Sequence, residues 1–328
     1  TVITSTHNEI EEQYGLYNYY DPSRMSVIPP GTDLTSFYPP HGKDGSGFKS
    51  QLLKFLREPN KPLILALSRP DERKNILTLV ETFGESESLQ EKANLLIVAG
   101  TRDDIRDMDD GPQTVLTNIL WLVDVYNLYG KVAVPKSHNA DEVPEIYRLA
   151  ASSKGVFINP ALTEPFGLTL LEAAASGLPI VATENGGPVD IIKNCNNGEL
   201  VDPLDKQAIQ QSLLKFLENK DLWSNTVKNG IEGVRKHYSW EAHVNKYIDK
   251  INSIEGKLQP LPEEFPATKK RYRNRAIISD LDQNLVGNPE AMTRFSDFIR
   301  KNRRKASFGI ATGRRIDSAL ALIKKNRI

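Results

Sequence analysis

Between Leu63 and Thr183 the sequence alternates short, unbroken apolar runs with longer amphipathic segments, and this pattern restricts the fold more than any other feature. The apolar runs are Leu63 to Ser68, Leu95 to Ala99, Val132 to Val134, Gly155 to Asn159 and Ile180 to Thr183. Between them, Ile76 to Phe83, Leu116 to Tyr126, Val143 to Ala151 and Leu168 to Ser176 carry apolar residues at helical spacing. A strand that is apolar on both faces has to be covered on both, and helices returning between parallel strands supply that cover. The expected fold is therefore α/β, a Rossmann-like, doubly wound parallel sheet. Ligands in such sheets sit beyond the carboxyl ends of the strands. The loops after Leu67, Ala99, Val134, Asn159 and Thr183 are accordingly where function is sought.

The flanks follow a different pattern. Val2 to Ser5 and Val27 to Pro29 read as short strands around an acidic helical stretch, Asn8 to Tyr14, and Pro29-Pro30-Gly31 breaks the chain. From Phe37 to Gly47 the residues turn to Pro, Gly and polar types, a connector rather than part of a core. Helices are expected over Lys206 to Asn219, Asp221 to Tyr238 and Trp240 to Ile254. Gly256 to Arg275, with three prolines and Lys269-Lys270-Arg271, reads as a linker, and Ala276 to Ser279 opens a second β-α-β pattern answered by Phe308 to Ala311. The division is residues 1–30, a connector over 31–61, a main domain over 62–255, a linker over 256–275 and a further segment over 276–328.

Charge and cysteine content exclude several classes. Lys plus Arg and Asp plus Glu number 42 each, so there is no global basic field for nucleic acid or a membrane surface, and neither is expected as a partner. The one cysteine, Cys195, cannot close an internal disulfide, and no Cys/His cluster has metal-site spacing, which favours a reduced, cytoplasmic setting. No apolar run approaches the roughly 20 residues of a membrane-spanning helix. The first residue is not Met and the chain stops inside a basic helix end, so a fragment of a longer protein is expected.

Two stretches carry the chemistry. Ser68-Arg69-Pro70-Asp71-Glu72-Arg73-Lys74-Asn75 places the guanidinium of Arg69 and the mobile ammonium of Lys74 at the sheet's carboxyl edge, a pair suited to a diphosphate. The helix from Ile76 would direct its free N–H groups to the same anion. The plain alternative is a solvated charged turn. Asn159 to Pro188, NPALTEPFGLTLLEAAASGLPIVATENGGP, sets Glu164 before a helix start and Glu172 inside it. Gly167 allows close approach of backbone to a ligand, and Leu168, Leu171 and Ala175 form the expected buried face. Glu172 on another face can accept hydrogen bonds from a ribose diol, and Glu164 can bind sugar hydroxyls. Alternatively, one is a surface charge and the other an early-helix glutamate favoured by the dipole.

E-P-F-G-L-T-L-L-E, S-G-L-P, N-G-G-P and S-R-P-D-E-R-K-N resemble the donor-binding domain of GT-B retaining glycosyltransferases. More narrowly, A-G-T-R-D-D-I, V-P-E-I-Y-R-L-A, K-G-V-F-I-N-P-A-L and G-G-P-V-D-I are similar to the sucrose-phosphate synthase family of plants and cyanobacteria, over about Val2 to Tyr247. Sucrose synthase shares the spacing of the two glutamates but differs around the R-D-D and I-N-P-A segments, and ranks second. The resemblance implies transfer of glucose from UDP-glucose to fructose 6-phosphate, giving sucrose 6-phosphate and UDP with retention. Under it Arg69 and Lys74 neutralise the departing diphosphate, Glu164 orients the glucose, Glu172 binds the ribose, Phe166, Gly167 and Leu168 present backbone amides, and the uracil lies near Pro135 and Lys136. No cofactor is implied for transfer. Residues 1–30 correspond to the end of an acceptor-side domain whose catalytic histidine none of His7, His41, His138, His237 and His243 matches. All five are read as structural or exposed, and the chain alone is expected to bind UDP or UDP-glucose without necessarily transferring.

Asp280-Leu281-Asp282-Gln283-Asn284 after one strand and Ala311-Thr312-Gly313-Arg314-Arg315 after the next resemble the first two motifs of haloacid-dehalogenase-type phosphatases, as in sucrose-phosphate phosphatase. The family roles would make Asp280 the nucleophile, Asp282 the general acid/base and Thr312 a phosphate ligand, with Mg2+ bridging in a complete domain. Asn284 stands where the family usually has Thr, and the later lysine and acidic pair do not follow. Three function classes result: a sucrose-phosphate-forming transferase, a phosphatase, and a noncatalytic nucleotide-binding module.

Overall fold

The computed structural model describes the chain except residues 1, 18–19, 42–45, 53, 256–275, 281–288, 303–306, 313–315 and 327–328. The chain divides into two compact units, Thr1–Lys257 and Leu258–Ile328. In the first, β1 (Val2–Thr4) and β2 (Met25–Val27) pair in parallel, and α1 (Ser46–Leu52) precedes the main sheet. The sheet is built from β3 (Leu63–Ser68), β4 (Asn94–Ala99), β5 (Val132–Ala133), β6 (Val156–Asn159), β7 (Ile180–Thr183) and β8 (Gly198–Val201). Its order is β5-β4-β3-β6-β7-β8 and every pairing is parallel. The chain enters at the centre, winds out to β5, crosses back to β6 and winds out to β8. The reversal falls between β3 and β6, the place where a doubly wound sheet leaves a crevice. β3 pairs with β4 along its whole length, Leu63↔Asn94 to Ser68↔Ala99, but with β6 only at Ile64↔Val156 and Leu65↔Phe157. The two central strands part as they approach their carboxyl ends.

The crossovers are α2 (Ile76–Glu85) with α3 (Glu87–Lys92), then α4 (Asp110–Val125), α5 (Val143–Ser152), α6 (Leu168–Ala175) and α7 (Pro188–Cys195). α8 (Lys206–Glu218), α9 (Lys220–Tyr238) and α10 (Trp240–Glu255) follow β8. Successive side chains of a strand face opposite ways, and β3 divides accordingly. Ile64 and Ala66 join one core with Leu79, Phe83, Leu116 and Leu213, while Leu63 and Leu65 join another with Tyr147, Leu171, Val234 and Tyr238. Each fully buried leucine or phenylalanine contributes about 1.5–3 kcal/mol of transfer free energy.

The structure corrects several boundaries. α4 begins at Asp110, not Leu116, because Gly111 and Pro112 occupy a first turn whose N–H groups have no intrahelical partner anyway. Pro188 after Gly186-Gly187 starts a helix instead of closing a loop, and β8 was not anticipated. β8 is an edge strand in which only Val201 is buried, so it shows no apolar run. The second strand ends at Val27, before Pro29 and Pro30, which cannot donate to a ladder. Over Phe37 to Gly47 the connector reading is incomplete. Phe37 packs against the second core, and farther along the 31–61 connector Phe48, Leu52 and Leu56 are buried in it.

The segment before β3 is held to the unit by specific bonds. The His7 backbone N–H donates to Asp190 Oδ2 at 2.8 Å and its Nδ1 lies 3.1 Å from the same carboxylate. His243 Nδ1 lies 2.8 Å from the Pro29 carbonyl oxygen, and the Thr32 N–H donates to the Tyr238 carbonyl. In the second unit β9 (Ala276–Ser279) and β10 (Ser307–Ile310) pair in parallel, from Ala276↔Ser307 to Ser279↔Ile310, with α11 (Pro289–Asn302) and α12 (Ile316–Asn326). Ala319 is buried there among Phe295, Phe308, Ile310 and Ile323.

Candidate active site

A cleft of about 470 Å³ opens where β3 and β6 diverge. Its walls come from the end of β3 and the following loop (Leu67, Ser68, Arg69, Lys74), from Val98, Gly100 and His138, and from the end of β6 through the start of α6 (Asn159, Glu164 to Thr169). Arg69, Lys74, Glu164, Phe166, Gly167 and Leu168 are thus brought together from segments about 90 residues apart, as the sequence reading expected.

An ion pair lines the cleft. Lys74 Nζ donates to Glu164 Oε2 at 2.7 Å, with 22% and 12% of the two side chains exposed, and Asn159 Nδ2 donates to the same oxygen at 3.0 Å. Arg73, one residue earlier, is occupied otherwise. It donates through Nε and Nη2 to Asp71, whose carboxyl these bonds hold down at about 2. Arg69 remains on the cleft wall, exposed.

The loops that carry these groups are locked by backbone. Asn75 adopts a left-handed conformation (φ 54) that ends the turn at Lys74 and starts α2. Its amide donates to the carbonyls of Pro160 at 3.0 Å and Pro203 at 2.8 Å, joining the loops after β3, β6 and β8. The Leu162 N–H donates to the Arg73 carbonyl. On the other side Glu164 bridges to the loop after β7: the Glu164 N–H donates to the Asn185 carbonyl, and the Gly187 N–H donates to the Glu164 carbonyl at 2.8 Å. That approach requires glycine. A Cβ on Gly186 (φ 110) would lie 2.2 Å from the Glu164 carbonyl oxygen, and one on Gly187 2.3 Å from that of Phe166. Gly167 (φ 104) starts α6 with its first turn at the cleft.

α6 buries Leu171 and Ala175, as expected, but not Leu168. Leu168 is 49% exposed at the cleft edge, while Leu170, Leu171 and Ala173 to Ala175 are buried. The helix packs between the sheet and α9, so apolar residues all but surround it. Glu172 lies one turn beyond Leu168, and its Oε2 accepts from the Tyr147 hydroxyl at 3.1 Å. Burial raises its carboxyl to about 7, and the tyrosine hydrogen bond opposes that rise.

The remaining expectations fare unequally. Pro135 is buried and its carbonyl accepts from Arg102 Nη1 at 3.0 Å; Lys136 is exposed and its Nζ donates to the Asp103 carbonyl at 2.9 Å. Neither lines the cleft, whereas His138, read as structural or exposed, does. Its place is tied by a side-chain bond between the loops after β4 and β5, Thr101 Oγ1 donating to the His138 carbonyl, which no local pattern announces. Asn75 and Tyr147 were also missed: their contacts lie 25 to 128 residues away. In the second unit Asp280 and Thr312 follow β9 and β10, but Asp282 and residues 313–315 lie outside the described residues, so the proposed magnesium pair is only half placed.

The doubly wound sheet with its cleft at the strand reversal is that of a GT-B glycosyltransferase domain, as the likeness to a solved sucrose-phosphate synthase shows. The chain belongs to the glycosyl transferases group 1 family, which matches residues 49–233. Within that class it is similar to sucrose-phosphate synthases. It is 50% identical over 286 residues to a probable sucrose-phosphate synthase 1 of rice, Oryza sativa, an alignment of 76% of this chain and 26% of the rice protein. The chain therefore spans about a quarter of that relative's length. The structure of sucrose-phosphate synthase from Thermosynechococcus elongatus superposes with a TM-score of 0.60 at 27% identity, over 78% of this chain and 59% of that one. Anabaena HepE, solved with UDP and glucose, shares the fold with a TM-score of 0.63 at 18% identity, covering 77% and 62%. Residues 273–328 match the sucrose-6F-phosphate phosphohydrolase family. Among the described residues no helix is long and apolar enough to cross a membrane.

Proposed function

We propose that the protein of which this chain is part transfers glucose from UDP-glucose to fructose 6-phosphate, releasing UDP and forming sucrose 6-phosphate with retention, and that this chain supplies the donor site. The substrate pair rests on the likeness to sucrose-phosphate synthases. The donor site rests on one observation, the Lys74–Glu164 pair lining the switch-point cleft with Arg69 on the same cleft's wall. In this reading the pair is the resting arrangement. A donor sugar's hydroxyls take up the Glu164 carboxylate, and Lys74 turns with Arg69 to the diphosphate. Charge on that diphosphate grows as the glycosidic bond breaks, so fixed cations stabilise the transition state more than the bound substrate.

Backbone amides of Phe166, Gly167 and Leu168 at the start of α6 meet phosphate oxygens, Glu172 accepts from the ribose, and the uracil lies toward the wall that includes His138, with Pro135 and Lys136 behind it. Since Arg69 and Lys74 meet the leaving group's charge, transfer is assigned no metal; Mg2+ belongs to a complete phosphatase-like domain through Asp280 and Asp282. Fructose 6-phosphate is assigned to the portion of the relatives' length that this chain does not span, and the setting is cytoplasmic. Titration calorimetry with UDP tests the donor site. Arg69→Ala and Lys74→Ala should each weaken binding by about 10-fold or more, the worth of a hydrogen bond to a charged group. Affinity for UDP no better than for uridine refutes it.

A further inference from the structure

Glu172 is not among the residues that line the cleft; it sits one turn behind Leu168 and Thr169, which do, and it does not stand alone there. Tyr147 comes from α5, beside α6 on the same face of the sheet, and is fully buried. Its ring is held edge-on by Phe37, with centroids 5.9 Å apart, and against Phe157 at 5.6 Å, so the phenol has one place to point. That place is Glu172 Oε2, 3.1 Å away. Side chains on a helix lean toward its N-terminus. Glu172 on α6 therefore reaches back beside Leu168 and Thr169, both of which line the cleft.

We infer that Tyr147 is the positioning residue of a ribose subsite: its hydroxyl anchors one oxygen of the Glu172 carboxylate and leaves the other to accept from a ribose diol, giving the cleft a preference for ribonucleotides over 2′-deoxyribonucleotides. The inference rests on the donor reading above and adds the residue that makes the subsite selective. A carboxylate has about four acceptor positions, so one can be committed to the protein while the rest serve a ligand. Burial and the nearby Glu172 charge keep the phenol protonated, well above its usual range, so the hydrogen bond runs from Tyr147 to Glu172. The carboxylate itself is raised to about 7 by burial, and the only other cause is the Tyr147 hydrogen bond, which lowers it. No charged group facing it from α5, α6 or the sheet contributes to that shift. Without the hydroxyl the carboxyl would hold its proton to higher pH and lose its fixed orientation.

The test is calorimetry of wild type, Tyr147→Phe and Glu172→Gln with UDP and with 2′-deoxy-UDP from pH 6 to 9. Both ligands carry the same diphosphate, so its own ionisation cancels in their ratio. Wild type is expected to prefer UDP by about 10-fold at pH 8, with the preference appearing as pH rises through about 7. Tyr147→Phe should cut the preference to under about threefold at pH 8 and move its onset to higher pH, with binding of the diphosphate retained. Glu172→Gln should show a small preference that is flat in pH, and carries the test if the phenylalanine variant does not fold. Wild-type preference and pH dependence in either variant overturn the inference. Wild type that binds UDP well but does not distinguish the two ligands removes the ribose subsite alone, and UDP binding no tighter than uridine removes the donor site as a whole.

Discussion

At the residue scale, the cleft is a set of charges stabilised by partners from distant segments. Lys74 and Glu164 satisfy one another while less than a quarter of either side chain is exposed, which avoids leaving a lone buried charge. The type and order of these residues were readable in the sequence, but their pairing was not, since it depends on two loops meeting across the strand reversal. Glu172 shows the cost of placing a carboxyl in an apolar wall. Its group is raised from 4.5 to about 7 by burial, so the folded chain binds more protons than the unfolded one between those values. Its contribution to stability is full below about pH 4.5 and is lost as pH rises through about 7. Glu172→Gln removes that dependence. In urea unfolding the variant should gain about 1–3 kcal/mol relative to wild type on going from pH 5 to pH 8, a shift of one unit being about 1.4 kcal/mol. An unchanged difference at the two pH values would show that the carboxyl is not desolvated.

At the element scale, helix and strand types were legible wherever periodicity or an apolar run was strong, and failed where tertiary contacts replaced them. β3, β6 and β7 are apolar on both faces and matched closely, but β8 presents one buried residue and left no signal. On α6 Leu171 and Ala175 are buried as their spacing implies, but Leu168 is exposed and Leu170, Ala173 and Ala174 are buried too, because a helix enclosed on several sides has no single stripe. The turn between β3 and α2 depends on Asn75, whose left-handed backbone and two long-range hydrogen bonds serve separate purposes. These can be separated. Asn75→Gly retains easy access to the left-handed region and loses only the bonds, whereas Asn75→Ala loses both. Alanine is expected to cost about 2–4 kcal/mol and glycine about 1 kcal/mol less, read from thermal or urea midpoints. Equal losses would mean that the backbone conformation carries no strain for alanine.

At the scale of the whole molecule, the reversal of strand order sets everything else. It places the loops after β3 and β6 side by side, parts the strands at their carboxyl ends and so creates a cleft with Arg69 and Lys74 on one wall and Glu164 on the other. The chain spans about a quarter of its rice relative, and the proposed acceptor site belongs to the remainder. The parent protein given UDP-glucose with fructose 6-phosphate should form sucrose 6-phosphate, with fructose a poor acceptor, as read by product chromatography; free sucrose from fructose as the main product would favour sucrose synthase instead. The sequence by itself determined the α/β alternation, the class of fold and the identity of the charged residues at the strand ends, because these follow from local periodicity and side-chain chemistry. Only the tertiary structure decided that Lys74 bonds Glu164, that Asn75 ties three loops, that His138 reaches the cleft and that Tyr147 holds Glu172. Each of these is a contact between residues far apart in the chain, fixed by the strand order and core packing rather than by any neighbour in sequence.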